Sequence, residues 1–294
     1  MKKFVVQITA FIVFTLIVIQ LLLMSQKGYI ISRASFKLPQ SIKYIMIGNS
    51  HAETAYNDSL INNFQNLASS GESYFYSFIK LQIVLEQNPQ VEKVYVEYTN
   101  LCVTLSNDRW IWEKEFMNNR VAQYYPFISM EQKMLLLRKN WMEYVNSESL
   151  ALRTNMNRIL SKDFDYSDEL GGYNYLVRFK VDSLLKETKQ LGVSEKNNKL
   201  KKSIFSIFYL KKIVELCEDK KVEIVFVRSP LHPLSKERFN ENVFMDVKNS
   251  DFNRVKFLDF VDFKLINEEF GDLEHLNYKG AKEYSKWFND NALE

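Results

Sequence analysis

The stretch YIMIGNSHAE, residues 44–53, sets a serine just past the end of an apolar run, between Asn49 and His51. A serine hydroxyl is a weak nucleophile until a positioned base takes its proton. Three histidines, His51, His232 and His275, could serve as that base. His51 adjoins Ser50, and neighbours at a helix start point apart. His232, in SPLHP, is pinned between two prolines, which makes it either structural or turned toward substrate. His275 lies in GDLEHLN, with Asp272 three residues ahead of it. On a single turn that spacing brings a carboxylate to the Nδ1 side of an imidazole, where it fixes the tautomer and stabilises the imidazolium. Ser50, Asp272 and His275 are therefore the candidate catalytic residues, and acyl transfer is the chemistry they suit.

Ser50 also reads as the start of a helix. SHAE is a capping box, with Ser50 at the N-cap and Glu53 three positions on, opening a helix through Leu60. The two roles are compatible. A serine on the first turn of a helix has its own N–H in the positive field of the helix terminus. Two more donors stand on later loops. NLASSGES, 66–73, puts Gly71 at a turn into a helix, and EYTN, 97–100, closes an apolar run with Asn100. Ser50 N–H, Gly71 N–H and the Asn100 amide would together make a three-donor oxyanion hole, worth several kcal/mol in a dry site.

Such residues need a frame. KYIMIG at 43–48, VEKVYVEY at 91–98, VEIVFV at 222–227 and VKFLDF at 255–260 read as buried parallel strands. Helical spacing appears at Tyr74, Phe75, Phe78, Ile79, Gln82 and Leu85, again over 204–220, and last in NYKGAKEYSKWFND. The alternation predicts a parallel sheet covered on both faces, with ligands at the carboxyl ends of its strands. Between about 101 and 202 the alternation breaks. This stretch reads as a mostly helical insertion, with breakpoints at Gly171-Gly172 and at the polar run 194–203. It holds three of the four tryptophans, Trp110, Trp112 and Trp141. Most of its aromatics read as helix core; Trp110 and Trp112 are the candidates for substrate contact, with His51 and His232.

Residues 4–24, FVVQITAFIVFTLIVIQLLLM, carry no charge, glycine or proline. As a helix they span roughly 31 Å, about one hydrocarbon thickness. No small-residue cleavage site follows, so residues 1–33 read as an uncleaved anchor and flank, and 34–294 as the body. A short tail of Lys2 and Lys3 ahead of a large domain places the body outside the membrane. Cys102 and Cys217 there are either a disulfide or two buried thiols. At 46% hydrophobic, 26% charged and net +3, with acids and bases interspersed, the chain is globular. No basic stripe or Cys/His cluster points to nucleic acid or a metal site, and no cofactor is expected.

The order serine, glycine, asparagine, Asp-x-x-His resembles the four blocks of the SGNH (GDSL-like) hydrolase superfamily, which fall here on Ser50, Gly71, Asn100, Asp272 and His275. The resemblance covers roughly 40–100 and 203–290. It is greatest to membrane-anchored branches acting with cell-envelope acylation systems, such as the alginate O-acetylation proteins and the D-alanyl transfer protein of teichoic acids. It implies a three-layer α/β/α, flavodoxin-like parallel sheet, and an acyl-serine intermediate on Ser50. His275 would serve as base and then acid, oriented by Asp272. It implies a small acyl group, acetyl above all, an acyl donor, and a carbohydrate acceptor on a cell-surface or exported polysaccharide. A multi-spanning membrane acyltransferase would be the partner, at a bacterial-type cytoplasmic membrane with the catalytic domain outside. Block one reads Gly-Asn-Ser-His where Gly-Asp-Ser is commoner, and block three lacks Gly-x-Asn-Asp. GNSHA falls one glycine short of the nucleophile elbow of α/β-hydrolases, which places several strands before its serine; here only one precedes it. The alternative is an inactive member that binds glycan or acts as a scaffold for a membrane acyltransferase.

Overall fold

The computed structural model describes residues 2–191 and 201–293. Residues 194–200 of the expected polar breakpoint lie outside the described residues. Five strands, β1 (Tyr44–Ile47), β2 (Phe64–Asn66), β3 (Lys93–Glu97), β4 (Glu223–Arg228) and β5 (Lys256–Asp259), form one sheet in the order β2-β1-β3-β4-β5. All four pairings are parallel. This is the flavodoxin-like order, whose switch point lies between β1 and β3. Four strands fall on the expected apolar runs. β2 was not anticipated: it is a three-residue edge strand with one apolar residue, too short to show a period.

The helices are α1 (Lys2–Ile31), α2 (Ser50–Ala55), α3 (Tyr74–Gln87), α4 (Arg109–Trp112), α5 (Lys114–Tyr124), α6 (Met130–Lys139), α7 (Trp141–Ser161), α8 (Val181–Leu191), α9 (Ile204–Lys220), α10 (Glu241–Asp251) and α11 (Tyr278–Asn291). Alternate strand residues feed opposite layers. Met46, Tyr95, Val225 and Val227 share a buried cluster with Ala52 and Ala55 of α2 and with Tyr284 and Phe288 of α11. On the other face Phe226 stacks on Tyr98, whose ring also meets Phe244 of α10. There α3 and α9 meet through Phe75 and Tyr209, 4.8 Å between centroids. The result is the three-layer α/β fold, with helices on both faces of the sheet.

The chain divides into two compact units, Met1–Phe36 with Ile111–Glu169, and Lys37–Trp110 with Leu170–Glu294. The stretch expected as one insertion is thus shared between them. In the first unit α1 is long and apolar enough to cross a membrane, with a mean hydropathy of 2.5; a signal sequence would pass the same test. Its first half exposes its apolar side chains, whereas Leu23, Gln26 and Ile30 are buried. Gln20 Nε2 donates to Glu148 of α7 at 2.7 Å. Phe36 stacks on Tyr166 at 4.6 Å, with Phe127 edge-on. The second unit holds the sheet.

Candidate active site

After β1, Gly48 turns the chain out of the sheet with φ at +156°. A Cβ there would lie 2.4 Å from Glu97 Cβ, so only glycine fits. Asn49 follows, buried, and its Oδ1 accepts from the His51 amide at 3.0 Å. Asn49 is therefore the N-cap of α2, and Ser50 is its first helical residue. This corrects the capping-box reading by one position. Glu53 does not reach back to the cap; its carboxylate accepts from the Ser70 hydroxyl. Nor does the helix run to Leu60: it stops at Ala55, and a separate single turn covers Asp58–Leu60. The Ser50 hydroxyl is consequently not spent on a cap.

It donates instead to His275 Nε2, at 2.8 Å. On the far side of the ring, Nδ1–H donates to Asp272 Oδ1 at 2.9 Å. The same oxygen accepts from the amides of Glu274 and His275, each at 2.9 Å. Asp272 Oδ2 accepts from Arg178 Nη1 at 2.5 Å. Burial alone would raise the Asp272 carboxyl. The hydrogen bond and charge of His275, the Glu274 amide and Arg178 outweigh it and hold the group well below the usual carboxylate range. An ionised carboxylate facing Nδ1–H leaves Nε2 as the accepting nitrogen, the tautomer a general base for Ser50 requires.

The loop that presents His275 is shaped by Asn277, fully buried at the start of α11. Its Oδ1 caps the helix through the amides of Lys279 and Gly280, and its Nδ2 donates to the carbonyls of Glu268 and Phe270. Above this loop the segment from Gly171 to Lys180 runs as a strap. The Lys180 amide donates to Gly271 O at 2.9 Å, the Tyr278 amide to Leu176 O at 3.1 Å, and the Asn174 amide to Glu53 O at 2.8 Å. Alternation along the strap turns Arg178 toward Asp272 and leaves Tyr175, Val177 and Phe179 exposed. Arg178 and Asn277 were both missed by sequence reasoning. Asn277 left a readable signal, an N-cap residue just before a periodic helix; Arg178, about ninety residues from its partner, left none.

Of the expected oxyanion donors, the Ser50 and Gly71 amides have no acceptor among the described residues. Gly71 sits in the left-handed region at φ 67°. Its loop is tied to the nucleophile turn on both sides: Ser69 N donates to Gly48 O at 3.0 Å, and Ser70 bonds Glu53. Buried Lys80 braces it from below, donating to Leu67 O, Leu170 O and Glu72. Asn100 is placed differently. Its Oδ1 accepts from Arg228 at 3.0 Å and its Nδ2 donates to Glu241 at 3.1 Å. The side chain is built into an ion network and makes no hydrogen bond to Ser50, His275 or Asp272.

The four residues considered for substrate contact part company. His232 is buried, its Nδ1 accepting from the Leu234 amide and its Nε2–H facing Asn267 Oδ1 at 3.1 Å. Both nitrogens are occupied, which makes it a brace for its loop. Trp112 lies in the first unit, with the Lys139 ammonium 4.9 Å over its ring and its carbonyl bonded by Asn140. Trp110, half-buried, ends the sheet-bearing unit's first segment. His51 alone lies beside the reacting groups, its ring stacked on His275 at 5.1 Å. Cys102 and Cys217 are free, buried thiols. Cys102 Sγ receives the Asn49 Nδ2–H at 3.2 Å, and burial pushes the thiol up to about 11. Among the described residues no cluster of His, Cys, Asp and Glu is arranged to hold a metal ion.

A protein-family model matches residues 183–294, which include the Asp272–His275 loop but not Ser50, and less than half of the chain. No curated protein sequence matches. A solved structure described as "a putative platelet activating factor from Streptococcus pneumonia" is similar over 97% of each chain, at 12% identity and a TM-score of 0.40.

Proposed function

We propose that the protein is a membrane-anchored serine esterase or O-acyltransferase of the SGNH type, acting outside the membrane on the acyl groups of a cell-surface or exported polysaccharide. The observation that carries this reading is the unbroken relay of Ser50 Oγ, His275 and Asp272, at 2.8 and 2.9 Å. His275 Nε2 takes the Ser50 proton as Oγ attacks the acyl carbonyl. The oxyanion that forms is met by the Ser50 and Gly71 amides, while Asp272 stabilises the imidazolium. His275 then returns the proton to the leaving alcohol, and an acyl-serine remains. Water resolves it in an esterase; a sugar hydroxyl, deprotonated by the same Nε2, resolves it in a transferase. An acetyl group is the acyl unit we favour. The reaction needs an acyl donor and a carbohydrate acceptor, and the partner we favour is a multi-spanning acyltransferase in the same membrane that α1 anchors the protein to.

The experiment is fluorophosphonate labelling of the full-length protein in detergent, read by intact mass and peptide mapping. Wild type is expected to take one label on Ser50. Ser50→Ala should take none, and His275→Ala should label far more slowly. Folded wild type without label would defeat the enzymatic reading. It would advance the inactive glycan-binding or scaffold reading, which the engagement of Asn100 by Arg228 and Glu241 favours.

A further inference from the structure

Two buried polar side chains beside the relay have no part in the mechanism above. Both ring nitrogens of His51 are buried without a hydrogen-bond partner, and so is Glu237 Oε2. Glu237 Oε1 lies 3.5 Å from His51 Nε2, just beyond hydrogen-bond length. Folded proteins seldom leave such atoms unpaired, because each forfeits its water for nothing. Three of them on two touching residues, next to the reacting atoms, ask for a reason.

The reason lies in the geometry of His275. Its bond to Asp272 fixes the ring along the Nδ1···Oδ1 line but leaves it free to roll about that line. A roll carries Nε2 away from Ser50. The His51 ring lies nearly parallel to the His275 ring, 17° between planes, and closes off that motion from one face. We propose that His51 and Glu237 are positioning residues for the general base: His51 holds the His275 ring flat against its face, and Glu237 seats His51. This rests on the relay reading of Ser50, His275 and Asp272.

The charge states suit that role. Burial first, then the charge of His275, pulls the His51 ring down to about 3, against a smaller lift from Asp272. His51 thus stays neutral through the cycle and presents a π face, not a second positive charge, to the imidazolium forming beside it. Burial pushes Glu237 up to about 8, with Glu274, Glu97 and Asp272 adding to the rise. At neutral pH it is a neutral acid able to donate O–H to His51. Above its transition it becomes a carboxylate that binds His51 N–H more strongly and so seats the ring against His275 more firmly.

The test is the rate of fluorophosphonate labelling of the full-length protein between pH 5 and 10. Wild type would be compared with His51→Ala, His51→Gln, His51→Phe and Glu237→Gln, each checked for native circular dichroism. His51→Gln keeps polarity without a flat face; His51→Phe keeps the face without nitrogens. We expect Ala and Gln to slow labelling about tenfold or more, the scale of a slightly misplaced base, and Phe to recover most of the loss. Wild type should show a second rise in rate near pH 8 that Glu237→Gln lacks. A His51→Phe protein no faster than His51→Gln would overturn the stacking role, even if His51→Ala fails to fold. A pH profile unchanged in Glu237→Gln would overturn the role of Glu237. A wild type that takes no label fails at the relay itself, and the positioning proposal falls with it.

Discussion

Asp272→Asn is the substitution whose outcome the structure constrains most tightly. An asparagine has one accepting oxygen where the carboxylate has two. Three donors converge on Oδ1: the His275 ring and the amides of Glu274 and His275, all at 2.9 Å. Arg178 reaches Oδ2 at 2.5 Å, where the His275 ring makes only its longer contact, 3.2 Å. The amide oxygen will therefore take the Oδ1 place, and its NH₂ will face Arg178, a half-exposed side chain that can swing into water. His275 then keeps its proton on Nδ1, and Nε2 still accepts from Ser50. What is lost is the negative charge that stabilises the imidazolium.

That loss has a size. Unit charges about 4 Å apart at an effective dielectric of about 20 attract by about 4 kcal/mol, which is roughly a thousandfold in rate. It falls short of the about 10⁴-fold loss seen where the equivalent change also traps the wrong tautomer. The assay is the second-order rate of fluorophosphonate labelling at pH 7–8, with the mass shift confirmed on Ser50. Asp272→Ala, which removes orientation as well as charge, should be slower still. A folded Asp272→Asn protein within tenfold of wild type would show that the carboxylate does not stabilise a proton on His275, and the relay reading would have to go.

Three further outcomes are expected. Arg178→Ala should cost about threefold in labelling at pH 7, since the pair is part-exposed. Glu97, buried and bonded by Ser229, is pushed up to about 7, chiefly by burial. Its stabilising neutral form is complete below the unfolded value of about 4.5 and is lost as pH rises to about 7. Glu97→Gln should therefore raise stability at pH 8 by about 3 kcal/mol and by nearly nothing at pH 4 in denaturant titrations. Because Leu23, Gln26 and Ile30 are buried in the first unit, α1 should be retained. Intact mass of protein purified from membranes should include it, and a mature chain starting beyond Ile30 would count against the anchor.

What was legible in the sequence follows from how local each signal is. The central strands announced themselves because a strand buried on both faces is apolar through its middle, as Val94, Tyr95 and Val96 are, and β5, a part-exposed edge strand, because it lies in the short apolar run 255–260. β2 buries Phe64 and Asn66, but it is three residues long with one apolar side chain, so Phe64–Asn66 carried no pattern. Asp272 and His275 were readable because a three-residue spacing on one turn constrains their geometry by itself. Arg178 completes the same carboxylate from a distant segment with no period of its own. Asn100 was misplaced for the complementary reason: an amide after a strand advertises a donor, but Arg228 and Glu241 that claim it come from elsewhere in the chain.

The one-residue shift of the helix cap bears most directly on function. Asn49 and Ser50 are both good N-cap residues, and the sequence alone gives no preference between them. Tertiary contact decides it. Cys102 Sγ takes the Asn49 Nδ2–H, which aims Oδ1 at the His51 amide. A serine at the cap would have its oxygen directed at an amide one turn on, facing away from any base. Moved to the first helical position, the same oxygen is released to His275 while its own amide stays unpaired beside it. Thr99 also donates to Cys102 Sγ, so the sulfur is held as an acceptor from two sides. The division of labour between cap and nucleophile thus depends on a neutral buried sulfur that, read in isolation, would pass for core filling.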